Sequence, residues 1–204
     1  MNYSIADIKL ILKALKQDDI WGSSHIYDIK KRLKEHLLHK GGHRCCYCLK
    51  SFFGEFSYVI DIEHILPKRK YRSCIFDIVN LSLSCKRCNM KIKRDDVSFL
   101  NVDLLRLYGG DKLKYFRSHF YNIVHPNLDD INSHISMVNI DVDFNRLVKY
   151  KILNESRKGK YTYEYFKLKE FEIDSFDSAQ GLSVSTPNCE LSARIKNILL
   201  ESGV

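Results

Sequence analysis

The sequence predicts an α+β chain in which a small, cysteine-bracketed module with a strand-like run is flanked by helices on one side and by helices and strands on the other. Three observations carry that prediction. Apolar residues recur at helical spacing before residue 42, two Cys-x-x-Cys pairs bracket a strand-like run, and period-two alternation appears beyond Asp130. The chain accordingly divides into an N-terminal helical segment (1–42), a cysteine-bracketed module (43–95) and a C-terminal region that is first helical and then strand-rich (96–204).

Ser4-Ile5-Ala6-Asp7 has the form of a capping box, and Ile8, Ile11, Leu12 and Leu15 follow as one apolar stripe. A second helix starts after Ser23 or Ser24, turns Ile26, Ile29, Leu33 and Leu37 inward and stops at Gly41-Gly42. Its other face carries Lys30, Lys31, Arg32 and Lys34, which read either as a solvated helix face or as a phosphate-binding stripe. Beyond Asp95 a helix is expected through Phe99, Leu100, Leu104, Leu105 and Leu107 up to Gly109-Gly110, then a short one through Tyr115, Phe116 and Phe120. Alternation at Ile135, Met137, Val138, Ile140, Val142 and Phe144, and again at Tyr161, Tyr163, Tyr165 and Phe166, predicts strands. Arg157-Lys158-Gly159-Lys160 is the expected turn between two of them. A polar, Ser-rich loop from Asp174 to Pro187 precedes an expected terminal helix through Leu191, Ile195 and Leu199. Neither an internal repeat nor a Pro-rich linker interrupts this order.

With 204 residues, 45% of them hydrophobic and 28% charged, the composition is that of a globular protein. A net charge of +8 and a pI of about 9.0 favour a polyanionic partner such as nucleic acid, although basic surfaces also serve solubility. Asp7, Lys9, Lys13, Lys16, Asp18 and Asp19 interrupt every apolar run near the N-terminus, so neither a signal peptide nor a membrane partner is expected, and the expected location is cytoplasmic.

The cysteines are unevenly placed. Of seven, Cys45, Cys46, Cys48, Cys85 and Cys88 fall into two tight groups, which in a chain without an export signal favours metal ligation over disulfides. Cys45-x-x-Cys48 and Cys85-x-x-Cys88 can supply four thiolates in a tetrahedron, the geometry of a closed structural Zn2+ site. Cys46 is an ambiguous member because it also forms Cys-x-Cys with Cys48, and Cys74 and Cys189 read as buried thiols. The separation between the pairs exceeds that of a compact zinc ribbon, so something must fold between them.

What lies between is Tyr58-Val-Ile-Asp-Ile-Glu-His-Ile-Leu-Pro67, a strand pattern ending in the pair Glu63-His64, with Asn80 further on and Asn89 directly after the last cysteine. A carboxylate and an amide oxygen are hard ligands suited to Mg2+, and a neutral histidine beside them can take a proton from an attacking water. Taken singly, His64 reads as a packed or surface residue, Glu63 as a surface carboxylate and Asn89 as a helix cap. Set against two cysteine knuckles, they read as a metal-assisted hydrolase site.

Cys45-x-x-Cys48, Glu63-His64, Asn80 and Cys85-x-x-Cys88-Asn89 together resemble the HNH (ββα-metal) endonuclease family in its four-cysteine zinc form. More narrowly, Ile62-Glu63-His64-Ile65-Leu66-Pro67-Lys68, followed by Tyr71, Phe76-Asp77, Asn80-Leu81 and Ser84-Cys85, is similar to the PtuB-type HNH proteins of Septu and retron anti-phage systems. So is His125-Pro126-Asn127-Leu128-Asp129-Asp130 with His134 beyond it. The resemblance implies a β-hairpin followed by a helix, with zinc pinning the ends. His64 would be the general base, Glu63 and Asn89 would hold a catalytic Mg2+ or Mn2+, and Asn80 would brace the loop that orients His64. It also implies a defence effector nuclease with a partner ATPase, for which the strand-rich region after Asp129 is the expected docking surface. The sequence departs from the family pattern at Ile92, three positions after Asn89, where a lysine is usual; Lys91 and Lys93 stand on either side.

Basic residues crowd this segment. Lys68, Arg69, Lys70 and Arg72 follow the strand, and Lys86, Arg87, Lys91, Lys93 and Arg94 surround Asn89. They read either as a solvated surface or, beside a phosphodiesterase motif, as phosphate contacts, and Lys68, Arg69, Lys70, Arg87, Lys91, Lys93 and Arg94 are the candidates for nucleic-acid binding, with DNA favoured over RNA. Tyr47 and Tyr71 either stack on bases or pack. The alternatives are a zinc-stabilised nucleic-acid-binding module without catalysis, which would not need Glu63, His64 and Asn89 together, and an RNA-cleaving HNH effector.

Overall fold

In the computed structural model, which describes residues 1–142 and 145–174, helix formation begins where the sequence supplies a cap. Ser4 Oγ accepts from the Asp7 amide at 3.1 Å and the Asp7 carboxylate accepts from the Ser4 amide at 2.9 Å, a reciprocal box that starts α1 (Ile5–Ala14). Asp7 is buried and takes an ion pair from Arg32 of α2 (Tyr27–Lys40). That pair decides which side of α1 faces inward: Ile11 and Ala14, one and two turns beyond Asp7, are buried, whereas Ile8, Leu12 and Leu15 are exposed. The expected stripe is therefore rotated, and Arg32 leaves the basic face for α1. In α2 the expected residues Ile29, Leu33 and Leu37 do face inward, and the chain turns away at Gly41 and at Gly42, whose φ of +60° suits glycine. Ile11, Ala14, Ile20, Ile26, Ile29 and Ile75 form one core cluster, with Trp21 and Phe76 packed against it.

Two compact units result. One comprises Met1–Tyr121 with His125–Asp129; the other comprises Asn122–Val124 with the chain from Asp130 onward. In the first, β1 (Ile60–His64) pairs antiparallel with β2 (Leu81–Cys85), Ile60 opposite Cys85 and His64 opposite Leu81. A long connection through residue 80, containing the 3-10 turns Arg72–Cys74 and Ile78–Asn80, joins them. β2 runs into a π-helical segment, Arg87–Lys93, whose wider turn is a form often found at functional sites. The helix expected from Phe99 shrinks to α3 (Leu104–Tyr108), capped by the Asp103 carboxylate and ended at Gly109 with φ +57°. Phe99 is buried without being helical, because Leu100 bridges to Tyr121 instead. The next expected helix is two 3-10 turns, Lys112–Lys114 and Ser118–Phe120.

In the second unit β3 (Ile135–Val142) and β4 (Asn145–Ile152) pair antiparallel, Ile135 opposite Ile152, and β5 (Ile173–Asp174) adds to β4. The expected strand through Tyr161, Tyr163 and Tyr165 is a helix, α4 (Arg157–Tyr165), and Arg157–Lys160 is its first turn, not a strand-joining turn. Ser156 Oγ accepts from the Gly159 amide at 2.9 Å to cap it. Thr162 and Phe166 are buried four residues apart, and Tyr161 stacks on Tyr165 at 5.9 Å, all helical spacings. Gly159 permits the packing, since a Cβ there would stand 2.5 Å from the His134 carbonyl oxygen. Phe144, Cys189, the expected loop beyond Asp174 and the expected terminal helix lie outside the described residues. No helix among the described residues is long and apolar enough to cross a membrane.

Candidate active site

The sulfur atoms of Cys45, Cys48, Cys85 and Cys88 lie within 4.8 Å of one another, and all four residues are buried. A tetrahedron with metal–sulfur bonds of about 2.3 Å has edges of about 3.8 Å, and Cys48 Sγ lies 3.8 Å from Cys85 Sγ. The cluster can hold zinc. Four thiols at this spacing cannot all ionise unaided: contact with Cys45 first, then Cys48, holds the Cys85 thiol far below its usual range, while contact with the same neighbours pushes Cys88 far above. A bound divalent cation removes that conflict by favouring thiolate throughout. Cys46 stands outside the cluster, its amide donating to the Leu83 carbonyl at 2.9 Å to tie the first knuckle to β2.

Between the knuckles, β1 distributes its side chains with period two. His64 is 7% exposed, its ring edge-on to Trp21 at 4.4 Å between centroids, and its Nε2 lies 3.2 Å from the Ile75 carbonyl oxygen. Burial, reinforced by Lys68, lowers its pKa to about 3, so the imidazole is neutral across the physiological range. With Nε2–H donating to Ile75, Nδ1 keeps a lone pair. Ile75 is placed by Asn80, fully buried, which accepts from the Leu66 amide at 2.7 Å and donates to the carbonyls of Leu66 and Cys74 at 3.1 and 3.0 Å. Asn80 thus closes the connection between the strands on itself.

Glu63 and Asp61 contact the π-helical side of β1. Glu63 is 1% exposed, with Lys93 Nζ at 2.8 Å and the Tyr47 hydroxyl donating at 3.1 Å. Burial raises its pKa, and Lys93 is the chief opposing influence. Asn89 reaches Asp61, its Nδ2 lying 3.0 Å from Asp61 Oδ2, and Lys86 Nζ stands 3.4 Å from Asp61 Oδ1. The structure thus brings Asn89 to Asp61 and holds Glu63 against Lys93.

The basic residues separate. Lys68, Arg69, Lys70, Lys91 and Arg94 are exposed, and Arg87 is half-buried. Lys93 departs from the expected phosphate-facing set: it is 1% exposed, pairs with Glu63 and donates to the His64 carbonyl at 2.9 Å. Lys68, Arg69 and Arg72 line a groove of about 390 Å³ with Trp21 and Ile75. Lys30, Lys31 and Lys34 line a larger one of about 640 Å³, again with Trp21, and with Asp61 and Ile62. Tyr47 and Tyr71 are both buried and pack.

The segment from Cys45 to Asp95 matches the family model described as HNH endonuclease, residues 45–95. This segment is similar to HNH endonuclease domains. Among curated proteins the chain is similar to the Septu protein PtuB of Bacillus thuringiensis, 26% identical over 155 residues, which is 76% of this chain and 45% of that protein. The chain therefore spans about half the length of the curated relative it matches. No solved structure matches it. The segment also depends on residues to which the sequence alone gives no role. Trp21, from the N-terminal segment, covers His64, and Asp61 meets Asn89. Asn127, beyond the domain, donates to the carbonyls of Val79 and Leu81 at 3.0 and 2.9 Å, on either side of Asn80. The apolar run around Asp61 and the His125–Asp130 motif are the available signals for the last two; Trp21 has none.

Proposed function

We propose that the chain is a metal-dependent endonuclease that hydrolyses phosphodiester bonds, with DNA as its target, and serves as the nuclease of an anti-phage defence system in the cytoplasm. The observation that carries this reading is a neutral, main-chain-anchored His64 inside the HNH-like segment. The hydrogen bond to Ile75 fixes the ring, and Nδ1 accepts the proton of the attacking water. Asn89 and Glu63 are the ligands that the family motif assigns to the divalent ion, and their oxygen donors suit Mg2+ or Mn2+. When bound, that ion supplies polarisation of the scissile phosphate and stabilises the leaving oxygen. The four cysteines hold zinc and keep the second knuckle, and hence Asn89, beside β1. Lys68, Arg69, Lys70, Arg87, Lys91 and Arg94 supply the positive field for the backbone.

The link to defence rests on the similarity to a Septu protein, and a partner ATPase is proposed on the same ground. The test is cleavage of plasmid, linear DNA and RNA by the purified chain with Mg2+ or Mn2+. Loss of a general base lowers the rate by about 10²–10⁴. His64→Ala is expected to fall by that factor while keeping its zinc content and circular dichroism, and EDTA is expected to stop the wild type. Undiminished cleavage by His64→Ala would refute the mechanism.

A further inference from the structure

The loop that joins the first cysteine knuckle to β1 exposes aromatic side chains. Phe56 and Tyr58 are 64% and 74% exposed, and their rings are parallel to within 5° with centroids 6.3 Å apart. Single exposed apolar side chains are common on protein surfaces, whereas aligned rings form a surface of defined shape. The backbone beneath them is fixed. The Val59 amide donates to the Phe56 carbonyl at 3.2 Å, and Lys34 of α2 donates to Ser57 Oγ at 2.9 Å and to the carbonyls of Ser57 and Ile60. The rings are held in place without being covered.

The patch continues toward the site. Lys86 Nζ lies over the Tyr58 ring at 4.3 Å and 3.8 Å from Met90 Sδ. Met90 directly follows Asn89 in the π-helical segment and is 60% exposed. Phe56, Tyr58 and Met90 therefore form one strip of apolar faces around an ammonium group, ending beside Asn89. From Ile60 to His64 the strand spans about 13 Å, the rise of about four stacked nucleotides. Aromatic faces with cations beside them take successive bases by stacking while the cations meet the backbone. Along a duplex each base is covered above and below by its neighbours, so only an unpaired stretch has faces to offer. The ammonium group within the strip, and the exposed Lys91 beyond Met90, suit a polyanion. We propose that Phe56 and Tyr58, with Met90 and Lys86, are a stacking platform for unpaired bases, so that the chain engages a single-stranded stretch of DNA beside the site of cleavage.

This inference rests on the reading of the chain as a DNA-cutting nuclease, and its test separates the two. The probe is a fluorescently labelled single-stranded DNA of mixed sequence, and the same sequence as duplex. Anisotropy is followed as the zinc-loaded full chain is added without Mg2+ or Mn2+. Wild type is expected to bind the single strand more tightly than the duplex. Phe56→Leu/Tyr58→Leu keeps apolar side chains but no ring faces. It is expected to bind the single strand at least about tenfold more weakly, since each stack lost is worth about fivefold or more. Its duplex affinity is expected to stay within about twofold, because phosphate contacts set it. Zinc content and thermal unfolding are expected to match wild type, because both rings are exposed. Tyr58→Phe, which keeps the ring, is expected to retain wild-type affinity. With Mg2+ or Mn2+, the double variant's loss on DNA carrying an unpaired stretch is expected in KM, with kcat retained. Wild-type single-strand affinity in the double variant, or an equal loss on duplex, overturns the platform and leaves the nuclease reading intact if the wild type cleaves. A wild type that binds single strands through these rings yet cleaves no DNA supports the platform and overturns the nuclease reading.

Discussion

Lys93→Met removes a buried charge while keeping most of the side-chain volume, and its consequences follow from the accessibility of the pair. Lys93 and Glu63 are each 1% exposed, so the carboxylate left behind has no water to turn to. Removing one partner of a buried ion pair costs about 3–5 kcal/mol. Burial already raises the pKa of Glu63, and Lys93 is the largest influence in the other direction, so the variant's carboxyl holds its proton to still higher pH. A raised folded-state pKa means the folded chain keeps a proton that the unfolded chain releases. The deficit is therefore full above the folded pKa and shrinks as pH falls toward the ordinary value of 4.5. Urea unfolding at pH 8 and pH 5, followed by fluorescence of Trp21, the chain's single tryptophan, measures it locally because that ring packs on His64. The expected deficit against wild type is about 3–5 kcal/mol at pH 8 and clearly smaller at pH 5, with most of it recovered in Glu63→Gln/Lys93→Met. A deficit below about 1 kcal/mol at pH 8, the size of a surface pair, or one that is equal at both pH values, would refute the reasoning.

Two further outcomes are expected. His64 has its pKa lowered from 6.5 to about 3, so the unfolded chain takes up a proton that the folded chain refuses. Wild-type stability should fall by about 1.4 kcal/mol per pH unit from this group as pH drops below 6.5, and His64→Gln should lack that slope in urea titrations at pH 7 and 5. Cys85→Ser should lose zinc by elemental analysis and lose the cooperative melt of the first unit, as chelation should do to wild type, because ligation contributes directly to folding; Cys74→Ser, outside the cluster, should do neither.

Most of the HNH-like segment is legible in the sequence because its chemistry is local. Two Cys-x-x-Cys pairs, a strand ending in Glu63-His64 and Asn89 beside a cysteine can be read without knowing the fold, and so can the caps at Ser4 and Gly42. What escapes notice depends on tertiary contacts. The α1 stripe is misplaced because Asp7 cannot be paired with Arg32 from sequence alone. Tyr161, Tyr163 and Tyr165 alternate like a strand, and the basic run before them opposes the helix dipole. Only the Ser156 cap and the close approach of Gly159 to His134 select the helix. Lys93 looks like its neighbours Lys91 and Arg94 until burial separates them. Asp61 is easily passed over because it lies two residues before the recognisable motif, although a strand returns to the same face at that spacing.

That spacing makes β1 unforgiving in one specific way. Asp61 and Glu63 face the π-helical segment while His64 faces Trp21 and Ile75. Substitutions within the strand alter the contacts of one side chain each. Deleting Ile62 inverts every side chain beyond it and delivers the imidazole to the position that meets Lys93, whereas inserting one residue after Ile62 delivers the Glu63 carboxylate to the position that meets the indole. A library of in-frame single-codon deletions across residues 58–67 should therefore be far more damaging than a substitution library over the same stretch. The strand works as a reading frame for chemistry, and its unit is two residues.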